Sequence, residues 1–487
     1  MSARHRASAS LLFNFSLLTA NGIVTPFASA ALVLVISRLQ GVEQLGRYSI
    51  IMAFFGLAQS CISLGLPVVV TRDVAQLPDR AARYLVNSTL ISLLLLLPIL
   101  AVLIPFELDS ARSSDMHGAL LVVCIALVPS IVTAYTEAIL LALERPQDFV
   151  AIGFAENLCR TASGIALVGL GHGIEALAVA VLVLRVAAAA ASLVALRRRG
   201  IRLTAPLDLT LCRRLLRQVP VMGSIPLVTA IYWRSDILIL TWFGGLAEVG
   251  YYSAAMRVLD MARSVPQALA RASYPVLARL FVSARGEFRT FSGDVMRASI
   301  LIMLALALAL WAVCEPLVRL TFGPDFARTA DVLLVVGWSI VPFALTIALA
   351  HVLFAAHRQV ADLGVNIVAT VGSIAMNLVV VPRYGSVGAA WTAVCSMFVH
   401  AALQYTVVRR MMAPKWGSLL ARSLAAAALS LAAMHLVGDI HVVAKVLLGE
   451  STFVLACIGL GVVTRADVDF LAGTLRRGLP VSVAERC

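Results

Sequence analysis

Apolar residues run in long blocks along this chain, and polar ones gather in short gaps between them. A helix crosses the apolar part of a bilayer in about 20 such residues, so the pattern predicts roughly fourteen membrane-spanning helices. They fall near 11–36, 47–70, 84–106, 118–142, 150–170, 174–196, 218–242, 248–278, 297–320, 330–355, 361–381, 386–408, 417–437 and 442–463. These runs are long and evenly spaced. They lack the short alternating segments of a membrane β-barrel. The expected fold class is therefore all-α, a polytopic membrane protein.

One stretch breaks the pattern. From Tyr232 to Leu280 two apolar helices meet at a Gly-rich turn, Gly244-Gly245 to Gly250, and both carry charges. Arg234 and Asp236 lie inside the first. Arg257, Asp260, Ser264, Gln267 and Arg271 recur on the second at steps of three or four, and so share one helical face; Arg263 stands beside them. A charge at membrane depth costs roughly 2.5–3.5 kcal/mol on insertion scales, so it faces protein or a watery cavity. The hairpin reads as half of a polar cavity. Its excess of arginine suits an anionic ligand, because the planar guanidinium can bond two phosphate oxygens at once.

Composition sharpens this reading. Of 487 residues, 61% are hydrophobic and 13% charged, with mean hydropathy +0.94. Soluble domains carry about 25% charged residues, so a soluble protein is excluded. The net charge of +13 does not point to nucleic acid, because the arginines sit in short connections. One alternate set of connections holds Arg72, Arg80, Arg83, Arg145, Arg197 to Arg199, Arg213, Arg214, Arg217, Arg285, Arg289, Arg409 and Arg410. The other set is sparse: Arg38, Arg47, Arg112, Arg319, Arg328, Arg383 and Lys445. That bias places both termini on the cytoplasmic side of the membrane. The apolar run after the short basic N-terminus reads as a retained first span rather than a removed signal. The eight cysteines are scattered, with no Cys-x-x-Cys pair, and read as buried thiols without metal or cofactor. No phosphate-binding Gly-rich loop is present and no connection has room for a catalytic domain, so the chain is not expected to be an enzyme.

Internal similarity divides the helices into six, six and two. Gly41-Val-Glu-Gln-Leu-Gly46-Arg-Tyr48-Ser49 resembles Gly245-Leu-Ala-Glu-Val-Gly250-Tyr-Tyr252-Ser253. Arg145 and Arg358 occupy similar contexts, as do Gly173 and Gly385. An even number of helices per copy implies parallel repeats about an axis along the membrane normal. The expected divisions are an N-lobe at 1–200, a C-lobe at 201–412, two extra helices at 413–464 and a cytoplasmic tail at 465–487. The stretch 197–217 reads as a basic connection between the lobes.

Further polar groups lie in the spans. The first helix carries Asn14, Asn21, Thr25 and Ser29 beside Pro26. Glu137 lies in the fourth helix. Glu156 and Arg160 stand four apart in the fifth, an ion-pair spacing. Arg185 is alone near the middle of the sixth and needs an anion from protein or ligand.

The motifs Arg234-x-Asp236 with Gly244-Gly245, VGYYSAAMRVLD, ASYPVLARL, and the earlier LGRYSI and GLPVVVTRDVA resemble the polysaccharide transporters, the Wzx-type flippases of the multidrug/oligosaccharidyl-lipid/polysaccharide (MOP) exporter superfamily. The resemblance implies a two-lobed bundle around a central cationic cavity. It also implies a flippase that moves an undecaprenyl-pyrophosphate-linked oligosaccharide to the outer leaflet of the bacterial inner membrane. Its partners would be that lipid-linked oligosaccharide, membrane lipid and other polysaccharide assembly proteins. Arg234 and Arg257 are the strongest candidates for binding the pyrophosphate, followed by Arg185, Asp236, Asp260, Arg263, Arg160 and Asn21. Glu137 and Glu156 are the candidates for ion coupling. Three alternatives stay open: a cation-coupled multidrug exporter, a flippase for the peptidoglycan lipid precursor, and a membrane glycan polymerase or ligase. The last is disfavoured by the short external connections.

Overall fold

The computed structural model describes residues 3–108, 116–412, 416–438 and 441–463, with side chains from residue 25 except at 99, 102–108, 146, 220–222, 412 and 416. Among the described residues every regular element is helical. In chain order the α-helices are α1 (Ala3–Ser63), α2 (Leu66–Gln76), α3 (Ala81–Leu108), α4 (His117–Ala142), α5 (Pro146–Gly169), α6 (Ile174–Arg198), α7 (Leu209–Met222) and α8 (Ser224–Phe243). They continue as α9 (Leu246–Ser283), α10 (Arg285–Thr321), α11 (Ala327–Val336), α12 (Ile340–Ala355), α13 (Gln359–Met412), α14 (Trp416–Leu436) and α15 (Val442–Gly459). Two of them are each two spans: α1 breaks at Gly41 and α13 at Gly385, both with positive φ. With those breaks counted, each expected span coincides with a helical stretch.

The duplication is visible in the backbone. Gly41 has φ 83°, ψ −172° and Gly245 has φ 87°, ψ 175°, a region open essentially to glycine alone. The two turns then pack reciprocally. A side chain on Gly46 would overlap the Leu246 carbonyl oxygen, and one on Gly250 would overlap the Val42 carbonyl oxygen. Val42 and Gly46 stand in the first copy where Leu246 and Gly250 stand in the second. This is a two-fold crossing of α1 and α9, with backbones in contact because neither glycine carries a Cβ. Two pseudo-symmetric six-helix lobes thus meet along α1, α8 and α9, with α14 and α15 packed outside against α10.

The lobes are also tied away from this axis. Arg38, at the end of the first arm of α1, donates to the carbonyls of Thr321 (2.7 Å) and Leu320 at the C-terminus of α10. A cation there satisfies orphan carbonyls and the negative end of the helix dipole. At the opposite end of the bundle Gly223 lies against the Leu64 carbonyl. Two breaks were not expected from the apolar pattern. The second span bends at Leu64 (φ 42°) and Gly65 (φ 69°), and the tenth is interrupted by a tight 3-10 turn at Gly337–Ser339.

The connection expected at 197–217 contains most of a helix. α7 is strongly amphipathic and meets α8 at 52°. Asp208 caps it, accepting from the backbone amides of Thr210 (3.1 Å) and Leu211 (3.0 Å). A bond from the Thr210 hydroxyl, and after it those from the amides, hold the Asp208 carboxyl below the usual range. Buried Asn87 of α3 pins the cap, accepting from the Asp208 amide (2.9 Å) and the Cys212 thiol (3.2 Å).

Candidate functional site

α8 and α9 are neighbours across the Gly244-Gly245 turn, and that places their charges on one chamber. A cavity of about 220 Å³ lies between the lobes. Ser49 and Met52 of α1 form one wall. Trp233, Arg234 and Asp236 of α8 and Tyr252, Ser253, Met256, Arg257, Asp260 and Arg263 of α9 form the other. Ser49 and Ser253 are repeat equivalents, as are Met52 and Met256. Two lining positions are therefore repeated across the chamber, while every charge comes from the second copy.

The charges are not equally held. Arg263 is buried, with its guanidinium 4.9 Å from the Trp233 ring and 5.4 Å from the Phe343 ring, and it donates to the Ser339 hydroxyl (3.3 Å). Aromatic packing and one hydroxyl fix it in place. Asp236 is held by neutral donors, the Tyr252 hydroxyl (2.8 Å) and the Asn377 amide (2.8 Å). Asp260 lies 3.7 Å from Arg257 and 3.6 Å from Arg263. Both distances exceed a good hydrogen bond, so neither arginine is saturated by it. Arg257 also reaches Ser29 across the lobe boundary at 3.4 Å. Arg234 lies over Gly56 of α1, where an added Cβ would be 3.4 Å from its Nη2. Among the described residues it makes no ion pair; it is attracted by Asp260 and repelled by Arg257. Two carboxylates, Asp236 and Asp260, thus face three guanidiniums around a polar void, and among the described residues only Asp260 comes within 4 Å of any of them, which leaves a net positive site with affinity for an anion.

A family model described as "Polysaccharide biosynthesis protein" matches residues 11–281, more than half of the chain and all but the last two residues of the α8–α9 hairpin. The chain belongs to the polysaccharide biosynthesis protein family. No curated protein matches it in sequence. Among solved structures it resembles a lipid II flippase MurJ in an inward closed conformation, at 12% identity and TM-score 0.71, covering 92% of this chain and 97% of that one. It also resembles an inward-facing multidrug resistance MATE transporter of the MOP superfamily, at 16% identity and TM-score 0.63, covering 81% and 98%. A third is a MOP superfamily transporter from Pyrococcus furiosus, at 16% identity and TM-score 0.56, covering 82% and 95%. Its binding pocket is described as of reverse polarity, suggesting a different function. This family member is a multi-pass membrane protein with the MOP fold.

Not every expected residue reaches the chamber. In this family member Arg185 is on the N-lobe side of α1, paired with Glu156 at 3.1 Å and 5.4 Å from the Phe55 ring. Glu156 thus takes its partner from α6 and not from Arg160 four residues on. Helix spacing favours the local pair, but side chains from a packed neighbour compete for the same oxygens. Arg160 donates to Asn157 (2.7 Å) instead. Glu137 of α4 lies in the field of both Arg185 and Glu156. The side chains of Asn14 and Asn21 lie outside the described residues. Tyr252, Asn377, Trp233 and Phe343 were missed as site residues. Only Asn377, a lone amide inside an apolar run, carries a signal in the sequence that could have flagged it.

The Arg185–Glu156 pair makes its own prediction. Removing one partner strands the other charge, so Arg185→Met should cost roughly 3 kcal/mol, whereas Arg185→Met with Glu156→Gln should recover most of it. Thermal unfolding of the purified variants measures this. Equal losses in the single and double variants would show that the two groups are not coupled.

Proposed function

We propose that this protein is a flippase for an undecaprenyl-pyrophosphate-linked oligosaccharide, acting in cell-surface polysaccharide synthesis at the bacterial inner membrane. The observation that carries the reading is Arg234. It is a guanidinium inside the bundle with no ion pair among the described residues, facing a polar chamber beside a loosely held Arg257. A pyrophosphate supplies the missing anion. Arg234 and Arg257 bind it, Arg263 positions Asp260, and Ser49 and Ser253 offer hydroxyls nearby. Arg185 and Arg160 have no place in that contact set. The chamber at about 220 Å³ suits a head group and not a sugar chain, so glycan passage requires the lobes to part at one face. The apolar cavity of about 210 Å³ between α10, α12, α13 and α14, lined by Ile300, Leu349 and Phe398, suits a lipid chain. Glu137, next to the Arg185–Glu156 pair, is the proposed place for ion coupling.

A second reading, a flippase for the peptidoglycan lipid precursor, is favoured by the extent of the fold shared with the lipid II flippase. The same phosphate chemistry serves both. Depletion separates them. The first reading expects lipid-linked surface glycan to accumulate on the cytoplasmic leaflet while peptidoglycan synthesis continues. Arrest of peptidoglycan synthesis with surface glycan unaffected would assign the second. A cation-binding drug exporter would instead show increased drug susceptibility, which an arginine-rich chamber does not favour.

A further inference from the structure

A second cationic cavity lies far from the chamber in sequence and serves no step above. It is about 200 Å³ and is lined by Arg80, Arg83, Tyr84, Asp208, Thr210 and Arg214. Arg80 ends the 3-10 turn Pro78–Arg80 and Arg83 lies in the first turn of α3, and both line the cavity. Arg214 projects from the facing turn of α7. Among the described residues Arg80 and Arg83 make no ion pair. Arg214 reaches Asp73 only at 3.8 Å, and that carboxylate is already engaged by Arg72 at 2.7 Å and by the Tyr84 hydroxyl at 3.0 Å. Asp208 also lines the cavity with its charge intact, its Oδ1 capping α7, so one lining carboxylate faces three lining guanidiniums. Asp79 is nearby but exposed on the preceding turn. The walls are rigid: Asn87 fastens α3 to the start of α7.

The setting identifies the anion. α7 is amphipathic, basic through Arg213, Arg214 and Arg217, and inclined to α8 by 52°. Leu207, Leu209 and Leu216 are 62%, 81% and 46% exposed. Exposed leucines beside an arginine face suit a helix lying in a lipid head-group layer. We infer that Arg80, Arg83 and Arg214 form a binding site for the phosphate of an anionic phospholipid, which clamps the interlobe helix α7 to α3 of the N-lobe. The shared chemistry would admit free phosphate as well; the leucines favour the lipid. This site is independent of the proposed transport substrate.

The test uses the full chain purified in a mild zwitterionic detergent. Native mass spectrometry counts retained lipid, and thermal unfolding is measured with added phosphatidylglycerol, phosphatidylcholine or inorganic phosphate. Phosphatidylglycerol should bind at least about 10-fold better than phosphatidylcholine and raise the melting temperature, because both carry the phosphate but the choline cation offsets it and is repelled by the three guanidiniums. Arg80→Gln with Arg83→Gln and Arg214→Gln should abolish that preference, and Arg214→Gln alone should weaken it. All three positions are exposed, so the variants should fold, and Arg145→Gln on the same face is the control. An undiminished preference in the triple variant overturns the site. Equal stabilisation by inorganic phosphate overturns the lipid assignment.

Discussion

Arg234→Ala should lower transport of the lipid-linked glycan by roughly 10- to 100-fold, since a charged hydrogen bond contributes about 1.5–3 kcal/mol. Arg257→Ala should do the same, and the double variant should be inactive. The reason is geometric. Arg234 rests over Gly56 and Arg257 makes long contacts with Asp260 and Ser29, so their removal takes binding capacity and little packing. Protein abundance should therefore stay near normal. The measurement is the ratio of untranslocated to exported glycan in cells carrying each variant at matched protein level. Arg263→Ala should behave differently. Its guanidinium is stacked on Trp233 and Phe343, so its loss should reduce stability as well as transport. Gly56→Ala should be tolerated, because a Cβ there only touches the Arg234 guanidinium, while Gly56→Leu should displace it and mimic Arg234→Ala.

Gly250→Leu should be the most damaging substitution outside the chamber. A side chain there collides with the Val42 carbonyl of the other lobe, and backbone cannot swing aside as a side-chain tip can. Overpacking of this kind costs about 1–3 kcal/mol. Much of that cost would be relieved by parting the lobes at the Gly41 and Gly245 turns. Transport should be lost, and a cysteine placed at Ser49 should react faster with a membrane-impermeant thiol reagent. Gly46→Leu, its repeat equivalent, should give the same result because it meets the Leu246 carbonyl. Unchanged labelling and transport in both variants would mean that the crossing is not a closed contact of the working cycle.

Helix positions were legible because the bilayer sets a length that apolar runs must meet. The chamber was partly legible for the same reason: Arg234, Asp236, Arg257 and Asp260 stand out against apolar sequence, and a hairpin connects them. The glycine repeat was legible because Gly41 and Gly245 need a backbone that few other residues adopt. Partners were harder to read. Tyr252 and Asn377 hold Asp236, yet a tyrosine or a single asparagine in a membrane helix is common packing material. Glu156 looked paired with Arg160 because sequence shows neighbours along a helix and not across one; the contact with Arg185 comes from packing α5 against α6. α7 read as connection because its charges lower its mean hydropathy, and its apolar face appears only when the residues are set on a helix.

The central claim is that the chamber recognises a phosphate-bearing head group through Arg234 and Arg257. Binding of undecaprenyl pyrophosphate and of uncharged undecaprenol to the purified protein in nanodiscs tests it most directly. The pyrophosphate lipid should bind at least about 10-fold tighter, and the difference should vanish in Arg234→Gln with Arg257→Gln. Equal binding of the two lipids by the unaltered protein, or a preference that survives the double substitution, would contradict it.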